Sequence, residues 1–273
     1  MRINRRTKTI GWIALSSAFL IAVTLLGCFW REAALITDFS RKNLAPCKEY
    51  LFGTDFMGRD MFVRTITGLS LSIRLGILTA AASAVFAGVL GICGAVLGKG
   101  ADSFVTFLID LVMGIPHILL LILISYACGK GFFGVVVGIT LTHWTSLARL
   151  LRGEVLKLKS SQYIQIASRL GMGKLQIAVN HMIPHLLTQL FTGLILLFPH
   201  AILHEASITF LGFGLSPEEP AMGVILSESM KYLAMGKWWL ALFPGGLLVI
   251  TVLLFHMLGD NICKLLDPGS AHE

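Results

Sequence analysis

Apolar runs of about twenty residues, the length that one bilayer-crossing helix needs, recur along this chain. They occupy residues 10–30, 77–97, 104–128, 132–151, 186–211 and 238–262. Such runs admit few folds. In lipid, no water satisfies backbone N–H and C=O groups, so a spanning segment must bond within itself as a helix or join a closed barrel. Continuous apolar runs, rather than alternating ones, select the helix. The expected fold is all-α: a polytopic membrane protein of about six transmembrane helices.

Composition supports that reading. Across 273 residues, 55% are hydrophobic and 14% are charged, whereas a soluble domain carries about 25% charged residues. A water-facing shell around one core is hard to build from this supply. The net charge of +7 fits anionic lipid headgroups and calls for no nucleic acid. The five cysteines lie far apart without a CxxC pair, so they read as small packing residues rather than metal or redox ligands.

The basic start, with Arg2, Arg5, Arg6 and Lys8, precedes the first run. That run has spanning length and no small-x-small cleavage site, so residues 1–30 read as a retained N-terminal transmembrane helix rather than a signal peptide. Residues 31–74 are polar and broken by Pro46 and Gly53, which makes them an extramembrane segment. A membrane domain follows over 75–266, and residues 267–273 form a tail. Lys and Arg are divided almost evenly between the two sides, so charge alone leaves orientation open.

Residues 152–185 form an unusually long connection, RGEVLKLKSSQYIQIASRLGMGKLQIAVNHMIPH. Two short helices are expected, 154–170 and 174–182, hinged at Gly171-Met172-Gly173 and stopped by Pro184. This connection resembles the cytoplasmic coupling loop of ABC importer permeases, whose pattern is EAA, three residues, Gly, nine residues and I-x-L-P. Gln165, Ile166 and Ala167 stand at the EAA positions, Gly171 at the glycine, Ile183 at the leucine and Pro184 at the proline. Gln165, Ile166 and His181 replace the family's Glu, Ala and Ile, which puts any salt bridge from that Glu in doubt.

Three more blocks resemble the peptide/opine/nickel branch of these importers. They are LFGTDFMGRD at 51–60, AILHEASITFLGFG at 201–214 and GDNICKLLDP at 259–268. The resemblance implies a bacterial inner-membrane permease subunit, both termini cytoplasmic, working by alternating access. Its implied partners are a second permease subunit, two ATPase subunits, an extracytoplasmic substrate-binding protein and membrane lipid. The chain carries no GxxxxGK[ST] motif, so it is expected to be no enzyme and to bind no cofactor, with ATP and Mg held by the ATPase subunits.

Of eight histidines, His117, His143, His200, His204 and His256 fall within apolar runs, where ionisable groups usually face a cavity or a partner. His200 and His204, four residues apart, share a helix face beside Glu205. With His143, these are the candidate translocation-pathway or metal residues, since imidazole and carboxylate suit first-row divalent ions. "THW" at 142–144 resembles the nickel branch, so nickel or a metal chelate is the expected cargo, with di- or oligopeptides as the alternative. Glu205 is common to both branches and reads as architectural.

Overall fold

The computed structural model describes residues 5–266. Among these, all extended secondary structure is helical, and an isolated antiparallel bridge joins Thr54 to Asp60. The helices are α1 (Arg5–Phe29), α2 (Met61–Leu97), α3 (Lys99–Met113), α4 (His117–Ala127), α5 (Gly131–Ser160), α6 (Gln162–Arg169), α7 (Lys174–Ile177), α8 (Ile183–Phe210), α9 (Met222–Leu233) and α10 (Trp239–Leu266). Five helical stretches, 7–29, 61–97, 131–160, 174–210 and 239–265, are long and apolar enough to cross a membrane. The pair α3 and α4 adds a sixth if its two arms count as one span. The expected tail and the end of the GDNICKLLDP block lie outside the described residues.

The expected third span, 104–128, is not one straight helix. Its arms meet at 97° across Gly114-Ile115-Pro116. Pro116 has no N–H to donate, and its ring drives Ile115 out of helical backbone space. The second span also differs from expectation. Helix α2 begins at Met61 rather than near residue 77, so residues 61–74 of the expected extramembrane segment are helical. The Asp60 carboxylate caps that helix, accepting from the amides of Phe62 and Val63 at 2.8 and 3.3 Å. At 37 residues, α2 is about 55 Å long and must project beyond the hydrocarbon layer. The sequence reading assigns no element to 212–237, yet α9 lies there, packed on α8 and α10.

The GTDFMGRD block folds into a buried clasp against α2 and α9. Asp55 Oδ2 accepts from Arg59 Nε and Arg64 Nη1, both at 2.6 Å, while its Oδ1 accepts the amides of Met57 and Arg59. Glu228 on α9 bonds both guanidinium groups, at 3.3 and 3.0 Å. Gly58 sits at φ +76°, with its missing Cβ aimed at the Asp38 carbonyl. No other residue fits there without moving the chain.

Helix α2 is the hub, packing on α1, α5 and α8. Small residues allow these approaches, as membrane interfaces require. A Cβ on Gly91 would stand 2.7 Å from the Ala148 carbonyl of α5, and one on Gly88 would meet only the Leu190 side chain at 3.4 Å. Large apolar side chains such as Val85, Phe104, Leu123 and Leu253 point outward from the helices, as spans surrounded by lipid require. Gly91→Val forces two backbones apart and should cost about 1–3 kcal/mol, lowering the thermal midpoint in detergent. Gly88→Ala should leave that midpoint nearly unchanged, and equal effects would contradict this packing.

Candidate functional site

The connection between α5 and α8 is a hairpin, with limits that differ from the sequence reading. Helix α5 continues to Ser160, α6 is a separate piece from Gln162 to Arg169, and the turn uses Gly171 at φ +88°. Pro184 stops nothing, contrary to expectation. It occupies the first turn of α8, and the residues before it, Ala178–Met182, form a π-turn. A proline ring normally clashes with the carbonyl four residues back, here Asn180. The widened π-turn supplies room there, as such bulges do within helices, so 174–210 runs as one helical stretch.

The hairpin presents apolar side chains without cover. Ile166, Leu170 and Leu175 are 57%, 79% and 73% exposed, and Tyr163 and Val179 are also exposed. Ala167 and Ile164 face inward instead. Gln165 is exposed, its side-chain amide donating to the Ser160 carbonyl at 3.1 Å. A cleft of about 430 Å³ opens beside it, lined among others by Gln165, Arg169 and Lys174.

Ionic and polar bonds tie the base of the hairpin to the bundle. Arg152 grips Asp102 of α3 with two bonds, at 2.5 and 2.8 Å, and Arg149 reaches Asp110 at 2.9 Å. Lys159 donates to the Ala95 carbonyl at the end of α2. Asp110 thereby links α3 to α5 at this end of the bundle.

Within the bundle, three histidines from three helices converge: His117 at the first residue of α4, His143 in α5 and His204 in α8. Their ring centroids are 4.8, 4.4 and 5.0 Å apart, and one ligand atom from each lies within 4.8 Å of the others. His200 and His204 do share α8, four residues apart. His200 is exposed one turn earlier on α8 and is not in the trio. His117 was not placed with the other candidates because helix periodicity links only neighbours on one helix. Its position directly after the Pro116 break was the available signal.

Glu205 is fully buried and is not a member of the trio. Its Oε2 accepts from the Ser72 hydroxyl of α2 at 2.6 Å, and its Oε1 accepts from Thr209 at 3.0 Å. The Thr209 oxygen in turn accepts the Leu215 amide at 3.2 Å, closing the turn after α8. Glu205 thus joins α2 to the turn after α8 through hydroxyls of this chain. Glu205→Leu strands both hydroxyls and should cost about 1–3 kcal/mol, read as a lower thermal midpoint. Glu205→Gln, which keeps a hydrogen-bonding partner, should cost less.

Known proteins share this architecture. The family model for binding-protein-dependent transport system inner membrane components matches residues 83–272. The dipeptide transport system permease protein DppC of Bacillus subtilis is 29% identical over 251 residues, covering 92% of this chain and 78% of that protein. The oligopeptide permease OppC of the same organism is 30% identical over 261 residues, covering 94% and 85%. DppC of Alkalihalophilus pseudofirmus is 31% identical over 268 residues, covering 97% and 86%. The crystal structure of an amino acid ABC transporter with histidines aligns with a TM-score of 0.57 at 14% identity, over 74% of this chain and 93% of that one. This last likeness concerns the fold.

The long apolar helices and the family match define a multi-pass membrane permease. More particularly, the chain belongs to the family of binding-protein-dependent transport system inner membrane components, as a permease subunit of an ABC importer.

Proposed function

We propose that this subunit moves small peptides across the bacterial inner membrane by alternating access, driven by ATPase subunits that grip the 152–185 hairpin. The observation that carries the coupling role is the uncovered apolar tip formed by Ile166, Leu170 and Leu175 on a glycine-hinged turn. Exposed apolar patches rimmed by polar residues mark protein interfaces, and the polar rim here is Gln165, Arg169 and Lys174. Gln165, Ile166, Ala167 and Gly171 form the docking element in this reading, and Pro184 belongs to the helix that carries its motion inward. The hairpin and both termini then lie in the cytoplasm, and the clasp of Asp55, Arg59, Arg64 and Glu228 faces the substrate-binding protein. A second permease subunit completes the pore, and ATP and Mg stay with the two ATPase subunits.

Peptide is the leading cargo because the relatives carry dipeptide and oligopeptide names. The nickel preference read from the "THW" stretch finds no support in those names. One observation keeps a metal or metal-chelate cargo as a second reading: the convergence of His117, His143 and His204. Uptake by membrane vesicles, with labelled dipeptide and labelled nickel in competition, separates the two.

Gly171→Pro tests the coupling role. Proline fixes φ near −65° and cannot adopt the +88° of Gly171. Uptake should fall by about tenfold or more while membrane insertion persists and ATP hydrolysis no longer responds to cargo. Unchanged uptake would overturn the assignment.

A further inference from the structure

The histidine trio poses a chemical problem that the coupling mechanism does not address. His143 is 7% exposed, and its Nδ1 lies 3.0 Å from the Ile139 carbonyl one turn earlier on α5. A carbonyl only accepts, so Nδ1 carries the proton and Nε2 carries the lone pair. That Nε2 is buried and has no hydrogen-bond partner among the described residues, and the same is true of His117 Nε2. A buried acceptor left without a partner costs free energy. These two rings come from separate helices, and with His204 each offers a ligand nitrogen within 4.8 Å of the others, which forms a site prepared for an electrophile.

We propose that His117, His143 and His204 bind one first-row divalent transition ion, of the class of Co2+, Ni2+ or Zn2+. The donors are imidazoles, and no carboxylate joins the group among the described residues. Imidazole suits these metals, whereas Mg2+ and Ca2+ demand oxygen. Nitrogens bound to one tetrahedral ion at about 2.0–2.1 Å stand about 3.4 Å apart. Ligand atoms already within 4.8 Å reach that spacing by small side-chain rotations. The Ile139 carbonyl acts as the outer partner that fixes ring orientation and raises the basicity of the ligating nitrogen.

Three protein ligands leave one coordination position open, as in sites that exchange a water or a substrate group. The three ligands also sit on three separate pieces of the bundle, since α4 is set off from α3 by the break at Pro116 and α5 and α8 are distinct spans. A bound ion therefore holds α4, α5 and α8 together, and any rearrangement that parts them must release it or reduce its coordination.

The test uses the assembled importer, permease with its partner subunits in lipid nanodiscs, stripped with a chelator and titrated with Co2+. One Co2+ per chain of this permease is expected, with the intense visible absorption of a four-coordinate nitrogen site. His143→Gln and His204→Gln should each weaken binding by about tenfold or more, and His256→Gln, an exposed histidine on α10, should not. Assembly and basal ATP hydrolysis are measured on every variant. If His143→Gln does not assemble, the half-buried His204→Gln carries the comparison. Equal Co2+ affinity in wild type and His204→Gln, or no saturable binding by wild type, overturns the proposal. Binding is read without cargo, so a failure of the peptide reading in uptake assays leaves this outcome separate.

Discussion

Two helical stretches connect the exposed hairpin to the middle of the bundle without interruption, and the account depends on that continuity. From His143 to Ser160, about 25 Å, helix α5 carries on into the first arm of the hairpin. The return arm runs from Lys174 to His204, about 45 Å, through the π-turn and Pro184. A helix is stiff along its axis because each turn is bonded to the next, so displacement at the tip arrives at the histidines as rigid-body motion. If Pro184 ended the helix, as the sequence suggests, the return arm would be a flexible strap and would transmit far less. The π-turn at 178–182 therefore makes the second arm a lever.

The apolar surroundings explain how the rest of the bundle is held. Little hydrophobic driving force exists between helices in lipid, so close backbone approach and hydrogen bonds must do more. Gly91 against Ala148 supplies the first. Glu205 bridging Ser72 and Thr209 supplies the second, joining α2 to α8 at a depth where a lone carboxylate would be costly. Hydroxyls elsewhere turn back on their own helices, as Thr79, Thr142 and Thr251 do, bonding carbonyls one turn earlier. The charged groups concentrate at the two ends. One end holds the Asp55–Arg59–Arg64–Glu228 clasp, and the other holds Asp102–Arg152 and Asp110–Arg149.

The spans were legible because hydropathy over about twenty residues is a local property. The hairpin hinge was legible too, since Gly171 meets a backbone requirement that few residues satisfy. The sequence is ambiguous where one residue type has two structural outcomes. Pro116 breaks its helix and Pro184 does not, and the difference lies in the π-turn, which depends on packing of Ala178 and Met182 against the core. The start of α2 was missed because Arg64 and Arg74 read as extramembrane, whereas Arg64 is neutralised by Asp55 and Glu228, the latter far along the chain. His117 joins His143 and His204 through tertiary contact, which no periodicity reveals.

A cysteine at Ile166, in a chain whose own five cysteines are replaced, offers the most direct measurement. Its cross-linking to ATPase subunits in intact membranes should be efficient and should change in yield when non-hydrolysable nucleotide is added. A cysteine at the exposed Val85 of α2, within a spanning stretch away from the hairpin, serves as the background. If Ile166 captures ATPase subunits no better than Val85, with or without nucleotide, the hairpin is not the coupling element and the lever account fails.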